Sequence, residues 1–230
     1  MMPKGEEPTR SEPERSLANA EPHLSRASAG RLSLYLRCLE ALQSEGAQKV
    51  SSSQLGESLG VSDAQVRKDL ACLGNLGQPG IGYYANDLVL AIRKALGIDR
   101  TWNAVLVGVG NLARALLKYS GFQQQGFHVL ALCDSDPAKI GQTIENLPVY
   151  SLERIADKIR SAEIELGILT VPAEAAQAVA DQLVAAGIRG ILNFAPIVLK
   201  LPPGVSLVTV DLAIQLEQLA FLVQWSNHDR

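Results

Sequence analysis

Gly108, Gly110 and Ala113 form the pattern G-x-G-x-x-A inside the stretch NAVLVGVGNLARALLKY, residues 103–119. An apolar run precedes them and an alanine- and leucine-rich segment follows, the order of a strand, a tight turn and a helix. That order suits the binding of a pyrophosphate. The first glycine permits the turn, the second lets backbone approach the phosphates, and a small third residue lets helix pack on strand. The N-terminus of the helix then faces the negative charge. The next apolar run, VLALCD, ends in Asp134, about where a carboxylate accepts a ribose 2′-hydroxyl. Such a carboxylate repels a 2′-phosphate, which favours NAD over NADP. The competing reading is a strand-to-helix turn with no ligand.

A second group lies at residues 62–73, SDAQVRKDLACL. Ser62 and Gln65 have the spacing of a capping box, and Val61 and Val66 that of a hydrophobic staple. Val66, Leu70 and Leu73 share one helical face, which leaves Gln65, Arg67 and Lys68 mostly off it. Basic and amide side chains at the start of a capped helix can meet base edges and phosphates. A solvated helix face is an equally good reading of the pair Arg67 and Lys68. Arg31 and Arg37, on a preceding helix, are further candidates for backbone phosphate.

Equipment for catalysis is sparse. His23 and His228 lie near the termini and His128 lies inside an apolar run. Tyr119 and Asp211 are polar candidates, but neither forms an acid/base constellation with a lysine or histidine. Cys38, Cys72 and Cys133 are far apart and form no metal-ligand spacing, so no metal is expected and a reducing cytoplasm is the simple reading.

The elements that must hold these groups follow from periodicity. Residues 1–27 are rich in Glu, Pro, Ser and Arg and read as a disordered tail. Residues 28–100 read as a winged helix-turn-helix domain. Leu32, Tyr35, Leu36, Leu39 and Leu42 mark one helix, Leu55 and Leu59 a second, and residues 62–73 a third. The glycine-rich GNLGQPGIGYY suits a hairpin or wing, and Leu88, Ile92 and Leu96 mark a further helix. Residues 101–210 alternate apolar runs (AVLVGV, FHVLALC, ELGILTV, GILNF and VSLVTV) with helical segments. That is an α/β fold, a Rossmann-type doubly wound parallel sheet. Residues 211–230 read as a helix apolar nearly all round, which a partner subunit would bury.

Composition sets limits. The 230 residues allow one or two domains, and 47% hydrophobic content supports a sizeable core. The longest apolar runs fall short of the roughly 18 residues of a membrane span, so no membrane is expected as partner. Net charge is −3, and the first hundred residues carry 12 basic against 12 acidic side chains. Bulk charge therefore lends nothing to nucleic-acid binding, and the case for DNA rests on local pattern.

Taken together, VRKDLACLGNLGQPGIGYYANDL, GVGNLARALLKYSGF, FHVLALCDSDPAKIG, TVPAEAAQAVADQLVAAGIRGILNFAP and VTVDL resemble the redox-sensing transcriptional repressor Rex family. The resemblance runs unbroken over about residues 30–225. It implies a homodimer that binds operator DNA through the winged helix, binds NADH or NAD in the Rossmann domain, and is released from DNA by NADH. It also implies that the C-terminal helix is domain-swapped into the partner. The implied cofactor residues are Gly108, Gly110, Asn111, Leu112, Ala113 and Asp134. Tyr119 and Asp211 match a pair whose contact responds to the cofactor. The capped helix and the basic and amide side chains around it make Arg31, Ser62, Gln65, Arg67 and Lys68 the expected DNA residues. Leu212 and Leu73 replace residues that are often aromatic in the family. The alternative reading is an NAD- or coenzyme A-binding Rossmann enzyme, and the missing acid/base constellation argues against it.

Overall fold

The computed structural model describes residues 24–78 and 80–226. Most of the proposed tail, His23 and His228 lie outside the described residues. The chain divides into two compact units, with the boundary between Asp99 and Arg100.

In the first unit, α1 (Arg26–Ser44) begins where the Ser25 hydroxyl accepts the Ser28 N–H. Arg26 and Ala27 are thus the first turn of a capped helix, which corrects the tail boundary expected at 27. Leu32, Tyr35, Leu36 and Leu39 are all buried, as their spacing requires. A short strand β1 (Lys49–Val50) precedes α2 (Ser52–Leu59) and α3 (Asp63–Ala71). Strands β2 (Gly77–Gln78) and β3 (Gly82–Tyr84) form the wing, and α4 (Ala85–Ala95) follows. The small sheet has the order β1-β3-β2 and is antiparallel.

Two glycines make this packing possible. Gly56 faces the Val61 carbonyl so closely that a Cβ would collide with it, so α2 and α3 can cross only with glycine there. Gly82 has φ +90°, and a Cβ on it would fall 2.5 Å from the Val50 carbonyl oxygen, which ties the wing to β1.

The second unit opens with β4 (Trp102–Val107), α5 (Asn111–Leu117), α6 (Gly121–Gln124) and β5 (Phe127–Cys133). Next come β6 (Thr143–Ile144), β7 (Leu147–Tyr150), α7 (Leu152–Ser161) and β8 (Leu166–Leu169). The last elements are α8 (Ala173–Ala185), β9 (Gly190–Asn193), β10 (Ser206–Thr209) and α9 (Leu212–Ser226). The sheet order is β10-β9-β8-β4-β5-β7-β6, and every pairing but β6–β7 is parallel. Successive residues of β4 serve opposite faces. Val105 and Val107 join the core beneath α7 and α8, whereas Ala104 and Leu106 join the one beneath α5. A strand covered on both sides reads as one continuous apolar run.

The β6–β7 hairpin was not legible from sequence. Its turn is Glu145-Asn146, with φ 48° and 65°, in place of the glycine-containing pair that signals such turns. Pro148 inside β7 masks the strand further. Among the described residues no helix is long and apolar enough to cross a membrane, and no cluster of three or more His, Cys, Asp or Glu could hold a metal ion.

Candidate nucleotide crevice and DNA-reading helix

Strand order reverses between β4 and β8, and in such sheets ligands enter at the carboxyl ends of the strands flanking that point. Gly108 sits there with φ +93°. A Cβ on it would lie 2.8 Å from both the Thr170 carbonyl oxygen and Val171 Cγ1. Glycine is therefore required twice, for the turn and for the approach of the loop after β8. The Thr170 hydroxyl lies 2.7 Å from the Gly108 carbonyl and 3.0 Å from that of Val107, which clamps the two loops together.

Gly110 is the N-cap of α5 and supplies no capping side chain. A Cβ there would meet nothing within 4 Å, so the backbone opens onto free space where a phosphate would approach. Asn111 and Leu112 are exposed at the helix start, and Ala113 is wholly buried against the sheet.

Asp134 is more heavily engaged than its sequence position suggests. It is 8% exposed. Its Oδ2 accepts the Val109 N–H at 2.8 Å and the Lys139 ammonium at 2.9 Å, and its Oδ1 accepts the Asp136 N–H at 2.9 Å. Burial pushes this carboxyl up, but the Asp136 N–H, the Lys139 ammonium and the Val109 N–H outweigh it and hold it below its ordinary value. Asp134 therefore ties the end of β5 to the glycine turn, with one lone pair of Oδ1 left for a hydroxyl. Lys139 went unnoticed in the sequence, because a lysine five residues past a strand end carries no signal by itself.

Tyr119 is 53% exposed, with its ring edge-on to Phe122 at 5.3 Å between centroids. Asp211 caps α9: its Oδ1 accepts the Ala213 N–H at 2.9 Å. Within the chain, no hydrogen bond joins Tyr119 to Asp211 among the described residues.

In the first unit, α2 carries a complete capping box between Ser51 and Gln54. The box expected on α3 is only half made. Ser62 Oγ accepts the Gln65 N–H at 3.3 Å, but the Gln65 side chain turns to Asp69, its Nε2 donating to Oδ1 at 3.0 Å, and not back to the Ser62 backbone. Asp69 is the residue that sequence spacing did not single out. It is buried and accepts Arg31 Nε at 2.6 Å, Arg31 Nη2 at 2.7 Å and the Tyr35 hydroxyl at 2.9 Å. The Arg31 guanidinium, with help from Tyr35 and Gln65, overcomes burial and holds the Asp69 carboxyl below its ordinary value.

Arg31, expected to reach DNA, thus spends two of its nitrogens pinning α1 to α3. Arg67 and Lys68 do project into solvent. Arg67 Nη1 donates to Asp63 at 2.6 Å and to Ser52 Oγ at 3.2 Å, an exposed pair that a phosphate could displace at little cost. Arg37 is also exposed.

The α9 helix is exposed from Leu212 to Trp225. Leu212, Ile214, Leu216, Leu219, Phe221, Leu222, Val223 and Trp225 are each 46–67% accessible.

A winged helix-turn-helix on one unit and a Rossmann crevice on the other define the class of two-domain proteins in which a DNA-reading head shares a chain with a nucleotide-type fold. The family model "Putative DNA-binding protein N-terminus" matches residues 23–71, and "CoA binding domain" matches residues 99–197. A redox-sensing transcriptional repressor Rex of Desulfitobacterium hafniense is 45% identical over 84% of this chain and 92% of its own length. The Rex of Pelotomaculum thermopropionicum is 48% identical over 86% of this chain and 93% of its own. RSP, a Rex-family repressor solved with β-NAD+ and operator DNA, matches with a TM-score of 0.83 at 37% identity, over 89% of this chain and 94% of RSP. The chain belongs to the Rex family of redox-sensing transcriptional repressors.

Proposed function

We propose that this protein is a cytoplasmic, homodimeric repressor that holds operator DNA in its free or NAD-bound form and is released by NADH. The observation that supports this best is the match to RSP, solved both with β-NAD+ and operator DNA and with β-NADH. The crevice at Gly108 and Gly110 takes the pyrophosphate, and the N–H groups of Asn111 and Leu112 meet its charge. Ala113 lets the helix sit close. Asp134 Oδ1 accepts a ribose hydroxyl. On the other unit Arg67 and Lys68 meet DNA. Ser62 and Gln65 set the start of α3, and Arg31 sets its angle through Asp69. The family is named for a regulatory role, and no reaction is assigned to the crevice. The α9 helix is swapped between subunits, so that the contact between Tyr119 and Asp211, absent within one chain, forms across the dimer.

Replacing Arg67 and Lys68 together with Ala tests the DNA half. Specific operator affinity should fall by at least about a hundredfold, since each charge-assisted hydrogen bond to a phosphate is worth roughly 1.5–3 kcal/mol. The slope of log affinity against log salt should flatten by about one for each phosphate that is no longer neutralised. NADH affinity and dimer mass should not change. Fluorescence anisotropy on operator DNA at several salt concentrations reads both effects, and unchanged DNA affinity would remove α3 from the interface.

Asp134→Ala tests the nucleotide half. In the wild type NADH should bind far more tightly than NADPH. Removing the carboxylate takes away the repulsion and also frees the Lys139 ammonium, now 2.9 Å from Asp134, to pair with a 2′-phosphate. NADPH affinity should therefore rise, by about tenfold, and that gain should vanish in Asp134→Ala with Lys139→Gln. Calorimetric titration decides it, with coenzyme A as the control ligand. Tight coenzyme A binding without NADH binding would overturn the redox reading.

A further inference from the structure

The second unit contains one position where a missing side chain makes room for another residue's ring. A Cβ built on Gly121 would fall 2.5 Å from both Cε1 and Oη of Tyr119, with Cζ closer still. Gly121 is buried and begins α6, and its φ lies outside the left-handed region. The backbone at this position therefore does not require glycine. The ring of Tyr119 does, because it lies over Gly121 with its edge set against Phe122 at an interplanar angle of 88°. Tyr119 nonetheless remains half exposed.

We propose that Gly121 is a positioning residue for the redox switch: the space at its α-carbon seats the Tyr119 ring and aims its hydroxyl. This rests on the reading of Tyr119 as the residue whose contact responds to NADH. The physical argument is one of relative softness. The atoms that would meet a methyl group at 121 are the far end of a side chain that can rotate, not backbone. Alanine also favours a helix over glycine by about 1 kcal/mol. Gly121→Ala should thus leave the fold intact and turn the ring off its seat, moving the hydroxyl that carries the signal while leaving the phosphate turn at Gly108 untouched.

The test uses the full chain in four forms: wild type, Gly121→Ala, Tyr119→Ala and the double variant. Direct NADH titration, operator anisotropy against NADH, and thermal melting are measured on each. Gly121→Ala should melt within a few degrees of wild type and bind NADH within about threefold. It should need about tenfold more NADH to release half of the operator, the size of a typical coupling between sites. In the Tyr119→Ala background the same change should add nothing, because no ring remains to be displaced. If Gly121→Ala melts early, Phe122→Leu takes its place. That variant removes the ring's other support and carries the same expectation, again nullified without the Tyr119 ring. Release by Gly121→Ala at the wild-type NADH concentration would overturn the proposal alone. So would an equal shift in the background lacking the ring, since that locates the effect in the backbone. Wild-type protein that stays on the operator at saturating NADH would overturn the redox-sensor reading and the proposal together.

Discussion

Raising the ratio of NADH to NAD should strip this protein from operator DNA, cooperatively in NADH, and NAD alone should not. The magnitude sets a condition on how. Moving a repressor from 99% competent to 1% competent takes about 10⁴-fold tighter binding of the effector to the released state. The two nicotinamides differ by one hydride and one ring charge, which one site could hardly convert into so large a preference. Two equivalent sites need about 10²-fold each, roughly 2.7 kcal/mol apiece. That is within reach of one rearranged charge-assisted hydrogen bond. The oxidised ring is cationic and attracts a carboxylate; the reduced ring is neutral and leaves that carboxylate to pair elsewhere. Asp211 holds the Ala213 N–H through Oδ1, which leaves Oδ2 for the ring or for the Tyr119 hydroxyl. Tyr119→Phe and Asp211→Ala should accordingly still bind NADH but lose about tenfold or more of its effect on DNA. Anisotropy of labelled operator at fixed protein, with the cofactor ratio as the variable, measures this. A complex that survives saturating NADH would sink the mechanism.

Ending the chain after Val210 should abolish the dimer. The α9 helix exposes eight large apolar side chains. An exposed surface of that kind on a separate chain is an aggregation site. Burying the open half of each side chain is worth about 1 kcal/mol, so two helices bring on the order of 15 kcal/mol. Association costs roughly 4–15 kcal/mol, a range that the two helices together reach. Val208 on the edge strand β10 is also 45% exposed. The truncated chain should run as a monomer or aggregate in size-exclusion chromatography with light scattering. Its response to NADH should disappear together with Asp211. A stable truncated dimer would show that the subunits meet elsewhere.

Apolar periodicity was enough for the helices of the winged head and for five of the six strands that pair in parallel, β4, β5, β8, β9 and β10. Burial of one helical face, or of both faces of a strand, forces apolar residues into a countable pattern. Gly108 and Ala113 were legible because a left-handed turn and close helix packing each favour small residues at a fixed spacing. The β6–β7 hairpin was not legible, since its left-handed turn residues are Glu145 and Asn146 and its strand contains a proline. Side-chain partnerships across long separations were also out of reach. Arg31 looked like a free surface cation, and only the folded chain brings it 2.6 Å from Asp69, 38 residues away. Gln65 had two partners within reach, and its amide donates to the buried Asp69 carboxylate, which already holds Arg31 and Tyr35, while the helix cap stays half made. Lys139 beside Asp134 and the seat of Tyr119 on Gly121 lie close in sequence, yet they too depend on which way side chains turn in the packed chain. Sequence spacing specifies which residues share an element; which charges and rings meet is decided by packing, where distance in space no longer follows distance along the chain.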